Sequence, residues 1–493
     1  MVAANTRPLF VDVDEGNWFA VYRQYAGELT THGQMGAAFS DENGELGSWD
    51  TYTNINSNGN PPWGGGGVGG TGVAQGRYPS ALGTEETPIA IWNEYTGDTS
   101  TGSLYGGRPY YASDDFGWSG GSFAYPLDID LLWDTDSKDL WVGSAAISYD
   151  DDEDMYVVNT VYNDWTRGNR YLFHSEAYED GFIVFGEEQL IIDEVNDLVG
   201  GDDTGSFNTS PYVSFTPDGL GMAGVVGLFL GADTDTSPIS NYHTGIFKLS
   251  DDHGASWFGG SSEDPALGHA PSTDGDGYYF IPDAVWDDLV ATQFNYEYVD
   301  ECDGTSEIVS DFWSYYEDDF KVDRDGNPHW SIQVLGCGAE YCYYLPESGI
   351  YHFTIDRDNL NNPGPVNSIT GWNWSHIPLP TTNSTWKRPS GVWQFMDMIP
   401  QISLSRENPE VMYVVSHIGT PGFISPEYDT DGDGKIDDPC NVEAYLKHEV
   451  YPEYSEDIYN VVLSEIEAHA TQFCNTQDST FIELFNIKHF TWV

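Results

Sequence analysis

Ser250-Asp-Asp-His-Gly-Ala-Ser-Trp257 is the stretch on which the reading of this chain turns. Ser250, Asp252, Gly254, Ser256 and Trp257 fit the pattern Ser/Thr-x-Asp-x-Gly-x-Ser/Thr-Trp, and each residue type has a physical task. Asp252 can accept hydrogen bonds from N–H groups of its own turn, Gly254 supplies a positive φ, and Trp257 is a large apolar plug. The stretch therefore predicts a tight structural turn at the end of the strand-like run Gly245-Ile-Phe-Lys-Leu-Ser250, rather than a site of chemistry.

Working outward, a two-part rhythm recurs. Strand-like runs that turn back through acidic or Gly/Pro residues occupy residues 10–22, 81–95, 146–158, 213–230, 320–330 and 402–415. Period-two alternation before each turn and a nearly continuous apolar run after it suit a hairpin packed between neighbours on both faces. A second element follows each hairpin, at 37–40, 110–113, 171–175, 245–250, 349–354 and 457–462. Six inner hairpins and six outer elements predict an all-β, six-bladed β-propeller, with a seventh blade left open. The propeller is read as one domain over residues 1–493, with insertions at 259–310 and 417–456. Short helices are predicted around 283–293 and 441–447, and the tail 464–493 is expected to close the last blade or begin the first.

Composition agrees with many short strands: 54 Gly, 26 Pro and 15% aromatic residues in 493. The formal charge of −63, from 80 acidic and 17 basic residues, disfavours nucleic acid and anionic lipid as partners. It suits either a saline habitat or carboxylates partly neutralised by divalent cations. No run of about 18 apolar residues predicts a membrane span. The start, Met-Val-Ala-Ala-Asn-Thr-Arg, has no apolar signal core, so a secreted form would be mature or trimmed. Of five cysteines, Cys337 and Cys342 flank a hairpin end and are expected to bridge in an oxidising compartment, with Cys440 and Cys474 as a further candidate pair.

The 250–257 motif resembles the Asp-box of the sialidase and BNR-repeat propellers. With Arg77-Tyr-Pro79 and the turn Asp325-Gly-Asn-Pro-His329, the chain is also similar to large propellers secreted by Bacteroidetes through the type IX system. That resemblance implies an extracellular or cell-surface protein and carries over no reaction. A sialidase would need three arginines on a substrate carboxylate, an Asp acid/base and a Tyr–Glu nucleophile pair. Arg23, Arg77, Arg108 and Arg388 are the candidates, but the Arg-Ile-Pro start motif is missing and the chain's charge would repel an anionic sugar. His243, His253, His329, His352 and His376 lack metal-ligand spacing and read as turn or rim residues. Trp63, Trp118, Trp372 and Trp374 are candidates for sugar stacking, with blade plugs the default.

Asp429-Thr-Asp-Gly-Asp-Gly-Lys-Ile-Asp-Asp438 resembles EF-hand-like, dockerin and thrombospondin type 3 calcium loops. Asp429, Asp431 and Asp433 would give side-chain oxygens to Ca²⁺, Lys435 its carbonyl, and Asp437 a direct or water-mediated ligand. Cys440 replaces the bidentate Glu of an EF-hand. Asp274-Gly-Asp-Gly277 has half the pattern and reads as a plain acidic turn. Taken together, the sequence is read as a secreted, calcium-stabilised, non-catalytic scaffold or binding module for protein or glycan. The alternatives are a glycoside hydrolase or lyase on the same fold and a subunit of an extracellular surface assembly. Carboxylates with Tyr or Arg gathered on the propeller axis would favour an enzyme, and a plugged axis a scaffold.

Overall fold

The computed structural model describes residues 6–12, 14–23, 33–53, 55–56, 76–96, 106–119, 122–124, 126–132, 138–141, 143–199, 209–230, 239–260, 262–299, 306–338, 341–344, 347–361, 371–377, 386–389, 400–404, 411–418, 467–474 and 483–487. Six antiparallel sheets of four or more strands follow one another along these residues. The first is Leu9–Asp12, Asn17–Arg23, Met35–Ser40 and Asp50–Tyr52, and the second Gly76–Gly83, Pro88–Thr96, Gly106–Ser113 and Leu127–Asp128. The third is built on Ala145–Asp150, Met155–Asp164, Arg170–Glu179 and Phe182–Phe185. Tyr212–Phe215, Gly221–Gly227, Thr244–Ser250 and Tyr278–Phe280 make the fourth. The fifth contains Asp311–Val322, Pro328–Cys337, Gly349–Thr354 and Asn373–Ile377, and the sixth Gln401–Leu404, Val411–Ile418, Glu467–Cys474 and Glu483–Ile487. First strands of successive sheets lie beside one another, which is the arrangement of a β-propeller.

Packing between sheets explains the apolar runs. In Ile89-Ala-Ile-Trp92, Ile89 and Ile91 face a core shared with the third sheet, while Ala90 and Trp92 face one shared with the first. Both faces of this strand are buried, so alternation is replaced by continuous hydrophobicity. The fifth sheet is asymmetric. Phe320, Val322, Trp330, Ile332, Val334, Tyr351 and Phe353 form its core with the fourth sheet. The register puts Asp319 opposite Ser331, Lys321 opposite His329, and Ser331 opposite His352, so its other face is a polar seam. The Ile402 N–H of the sixth sheet donates to Asp319 Oδ2 across that seam.

The 250–257 turn is closed by its own side chains. Gly254 N–H donates to Ser250 Oγ at 2.8 Å, Ser256 N–H and Oγ–H donate to Asp252 at 2.9 and 2.5 Å, and Trp257 Nε1 donates to Gly254 O at 3.1 Å. Gly254 has φ +92, and a Cβ there would meet Asn159 Oδ1 at 2.4 Å. Residues 40–49 repeat the scheme, with Gly44 N–H on Ser40 Oγ and Trp49 Nε1 on Gly44 O.

Several predicted elements take a different place. The third strand of the sixth sheet is Glu467–Cys474, downstream of 457–462, which lies outside the described residues. Glu483–Ile487 pairs with that strand, so the tail extends the last sheet. Within 259–310, Tyr278–Phe280 is an outer strand of the fourth sheet, and Asp283–Leu289 is a helix continued by one π-helical turn, Val290–Phe294. Cys337 is disulfide-bonded, and Cys342 stands directly across the ladder from it. The helix expected at 441–447 lies outside the described residues.

Candidate functional site

Arg7 joins the second sheet to the fifth. Its N–H donates to Ser80 Oγ at 3.2 Å and its carbonyl accepts from Ala81 N at 2.7 Å, which pins its backbone to the first strand of the second sheet. Its guanidinium reaches the first strand of the fifth sheet, donating to Asp319 Oδ1 at 3.0 Å and Phe320 O at 2.7 Å, and lies over the Tyr212 ring. Burial pushes the Asp319 carboxyl up, against the pull of Arg7. Lys321, on the same strand face, is lowered from 10.5 to about 7 by burial and by the Arg7 charge, with Asp319 opposing. Asp318 points to the other, apolar face. Both its carboxylate oxygens are buried, and burial followed by the neighbouring Asp319 charge, with Thr209 opposing, holds it well above the usual carboxylate range. Burial thus disfavours the charged form of both Asp318 and Lys321, on opposite faces of one strand. Asp318 is 0% and Asp319 1% exposed, so neither meets a large ligand.

Of the groups nearer the strand starts, Arg23 is exposed and Tyr78 and Trp313 are half-buried, while His243 and Ser314 are buried. Two residues before Ser80, Tyr78 is held at φ +52 beside a register shift between Arg77 and Ser80, with its ring edge-on to Trp141 at 5.7 Å. The other non-glycine positive-φ residues, Asn43, Asp154, Asp180 and His253, have turn-type side chains; an aromatic residue there is strained. Arg23 is lowered by burial and then by the Arg77 charge, so the two guanidinium groups feel each other.

On the fifth-sheet side, Trp313 stacks on His243 at 5.5 Å and 6°. Ser314 Oγ donates its single proton to His243 O at 2.7 Å, so in the 2.7 Å contact between Ser314 Oγ and His243 Nδ1 the ring is the donor. That fixes the tautomer. A neutral His243 carries its lone pair on Nε2, the arrangement of an oriented general base.

Of the four candidate arginines, Arg23 and Arg77 come together, Arg108 pairs with Asp128 at 2.6 Å, and the Arg388 side chain lies outside the described residues. Trp118 is packed with Phe10, Phe19 and Phe39, and Trp372 is buried in the core between the fourth and fifth sheets, so both act as plugs. Trp374 donates to Asp288, and Trp63 lies outside the described residues. His253 is a turn residue bonded to Ser148, His329 links His352 to Asp323, and His376 stacks on Tyr351. Among the described residues no three His, Cys, Asp or Glu converge to hold a metal. Asp429, Asp431, Asp433, Lys435 and Asp437 lie outside them. At Asp274-Gly-Asp-Gly277 the ammonium of Lys248 occupies the cation's place, 2.5 Å from Asp274 and 3.8 Å from Asp276. Sequence reasoning passed over Arg7, Lys321, Asp318 and Trp313, none of which has a local motif.

No helix among the described residues is long and apolar enough to cross a membrane. No protein-family profile and no curated protein matches the chain. Among solved structures, a PL25 ulvan lyase is similar at 10% identity and TM-score 0.43, covering 85% of this chain and 78% of its own. The polysaccharide lyase Uly1 is similar at 11% identity and TM-score 0.44, covering 85% and 87%. Trypanosoma rangeli sialidase is similar at 11% identity and TM-score 0.38, covering 94% of this chain and 58% of its own. These likenesses are too distant to transfer a residue's role or a substrate.

Proposed function

We propose that the chain is a glycan-processing propeller, of the hydrolase or lyase class, that works where its inner strands begin. The carrying observation is His243: Ser314 fixes its tautomer and Trp313 fixes its plane, which orients Nε2 as a proton acceptor. Tyr78, strained against Trp141, and the Arg23–Arg77 pair supply an aromatic and a cationic group at the same end of the ring. Two guanidinium groups that feel each other's charge, in a chain of charge −63, are a place where a uronate or sulfated sugar is tolerated.

The competing reading is the non-catalytic scaffold or binding module for protein or glycan. It is favoured by Arg7, which ties the buried Asp319 carboxylate into the structure. Extracellular or cell-surface placement, the Asp-box and type IX resemblances, a surface assembly and Ca²⁺ on Asp429, Asp431, Asp433, Lys435 and Asp437 belong to the proposal as well.

Incubating the full chain with neutral and uronate-bearing polysaccharides tests it, read by new reducing ends and by ultraviolet absorbance of the unsaturated ends a lyase leaves. The expected result is turnover that falls about 100-fold or more in His243→Gln. Absence of product on every glycan, or a His243→Gln variant as active as the parent, overturns the catalytic reading.

A further inference from the structure

We infer that Trp165 is an outlying glycan subsite, a stacking platform for a pyranose of a long chain; this rests on the glycan reading above. Trp165 is 47% exposed, in the loop after the second strand of the third sheet, at the end of the ring where inner strands begin. Leu131 and Leu132, 72% and 46% exposed, follow the last strand of the second sheet at that same end.

These apolar groups stand on a rigid base. Asp164, itself buried, accepts from the N–H groups of Asp139, Thr166 and Arg167 through one carboxylate oxygen, and pairs with the Arg167 guanidinium through the other. Arg167 grips Glu188 with two bonds of 2.6 and 3.0 Å and covers the Tyr171 ring at 3.9 Å. Glu188 also binds the buried Lys138, 3.0 Å away, which holds Asp130 at 2.9 Å, directly before Leu131. The Trp165 N–H is tied to Asp139 O at 2.9 Å. A continuous ion network therefore runs from Asp130 to Asp164 beneath the exposed side chains.

Partly buried ion networks carry a desolvation cost and their best-attested return is a fixed geometry. Here the geometry they fix is the backbone that carries an exposed indole, so the loop's ordering entropy has been lost before any ligand arrives. Sugar rings present a C–H face to an aromatic plane and hydroxyls to surrounding carboxylates and guanidinium groups, and both chemistries are present around Trp165. A protein partner fits less well. One indole and two leucines offer a few hundred Å², well short of the roughly 1,000 Å² that a stable protein interface buries.

The test uses the full chain with Trp165→Ala, Trp165→Phe and His243→Gln, run through native gels containing each polysaccharide and assayed on long and short substrates. Melting curves of each variant check folding. The expected result is that Trp165→Ala loses retention about tenfold and raises KM on polymer alone, while Trp165→Phe keeps most of both. His243→Gln should lose turnover and keep retention, which separates this subsite from the catalytic reading. Parent and Trp165→Ala retained alike overturn the inference and leave the catalytic reading standing. A parent retained by no glycan overturns it too, as does a Trp165→Ala defect confined to binding a protein.

Discussion

Arg7 and Asp319, 312 positions apart in the chain, form a 3.0 Å ion pair that ties the segment preceding the first sheet to the inner strand of the fifth. The Asp319 side chain is 1% exposed and that of Arg7 14% exposed, so the pair is shielded from solvent. It is held on one side by Ser80 and Ala81 and on the other by Phe320 and Ile402.

Removing one partner should therefore cost more than removing both. Arg7→Met strands a buried carboxylate and is expected to lower stability by about 3–5 kcal/mol in urea unfolding, whereas Arg7→Met with Asp319→Asn should recover part of that loss. Additive losses in the double variant would show that the pair does not couple.

Lys321 sets a pH dependence with a definite sign. Its folded value of about 7 lies below its ordinary 10.5, so between those two values the unfolded chain binds a proton that the folded chain does not. Stability contributed by this group rises as pH climbs through that window, and the cost of burying the charged amine is fully present below it. Lys321→Met should flatten the rise in a series of melting curves. Asp318 works in the opposite sense: its folded value is raised, so stability falls as pH rises from the unfolded value toward the folded one, and Asp318→Asn should remove that fall.

The 250–257 turn lies at the opposite end of the ring from His243 and should affect folding alone. Gly254→Ala combines φ +92 with a Cβ 2.4 Å from Asn159 Oδ1 and is expected to lower the melting temperature more than Asp252→Ala, which removes about 1–2 kcal/mol of hydrogen bonding to Ser256. Glycan turnover per folded molecule should be unchanged in both. A fall in turnover without a fall in stability would mean that this turn communicates with the site.

Calcium is predicted to protect residues 417–456 from proteases without altering the β-sheet signal, and Asp431→Ala should lower the bound Ca²⁺ stoichiometry. Equal cleavage rates with and without a chelator would remove the calcium loop from the account.

The six hairpins were legible because their residues obey local rules: alternation, acidic or glycine turns, and apolar runs such as Ile89 to Trp92 buried on both faces. Tyr278–Phe280 was hidden inside an apparent insertion because three apolar residues have no measurable period. The axial cluster was illegible for a different reason. Arg7, Asp318, Asp319 and Lys321 acquire their meaning from a ring that brings position 7 to position 319, and nothing near either position announces it. Tyr78 was legible only as part of the Arg77-Tyr-Pro79 motif, because its residue type gives no sign of a left-handed backbone. Trp165 was one indole among 17 until its exposure separated it from the plugs.

The interior placement of Lys138, Lys248 and Arg170 changes what the formal charge means. With only 17 basic residues, the chain withdraws these three almost wholly from water, each 4% exposed or less, to neutralise its own carboxylates. The solvent-facing shell is consequently close to a single sign, and its self-repulsion weakens as mobile ions accumulate around it. This is the electrostatic constitution of a protein that grows firmer in brine, so its melting temperature should climb with sodium chloride even where no divalent ion is present.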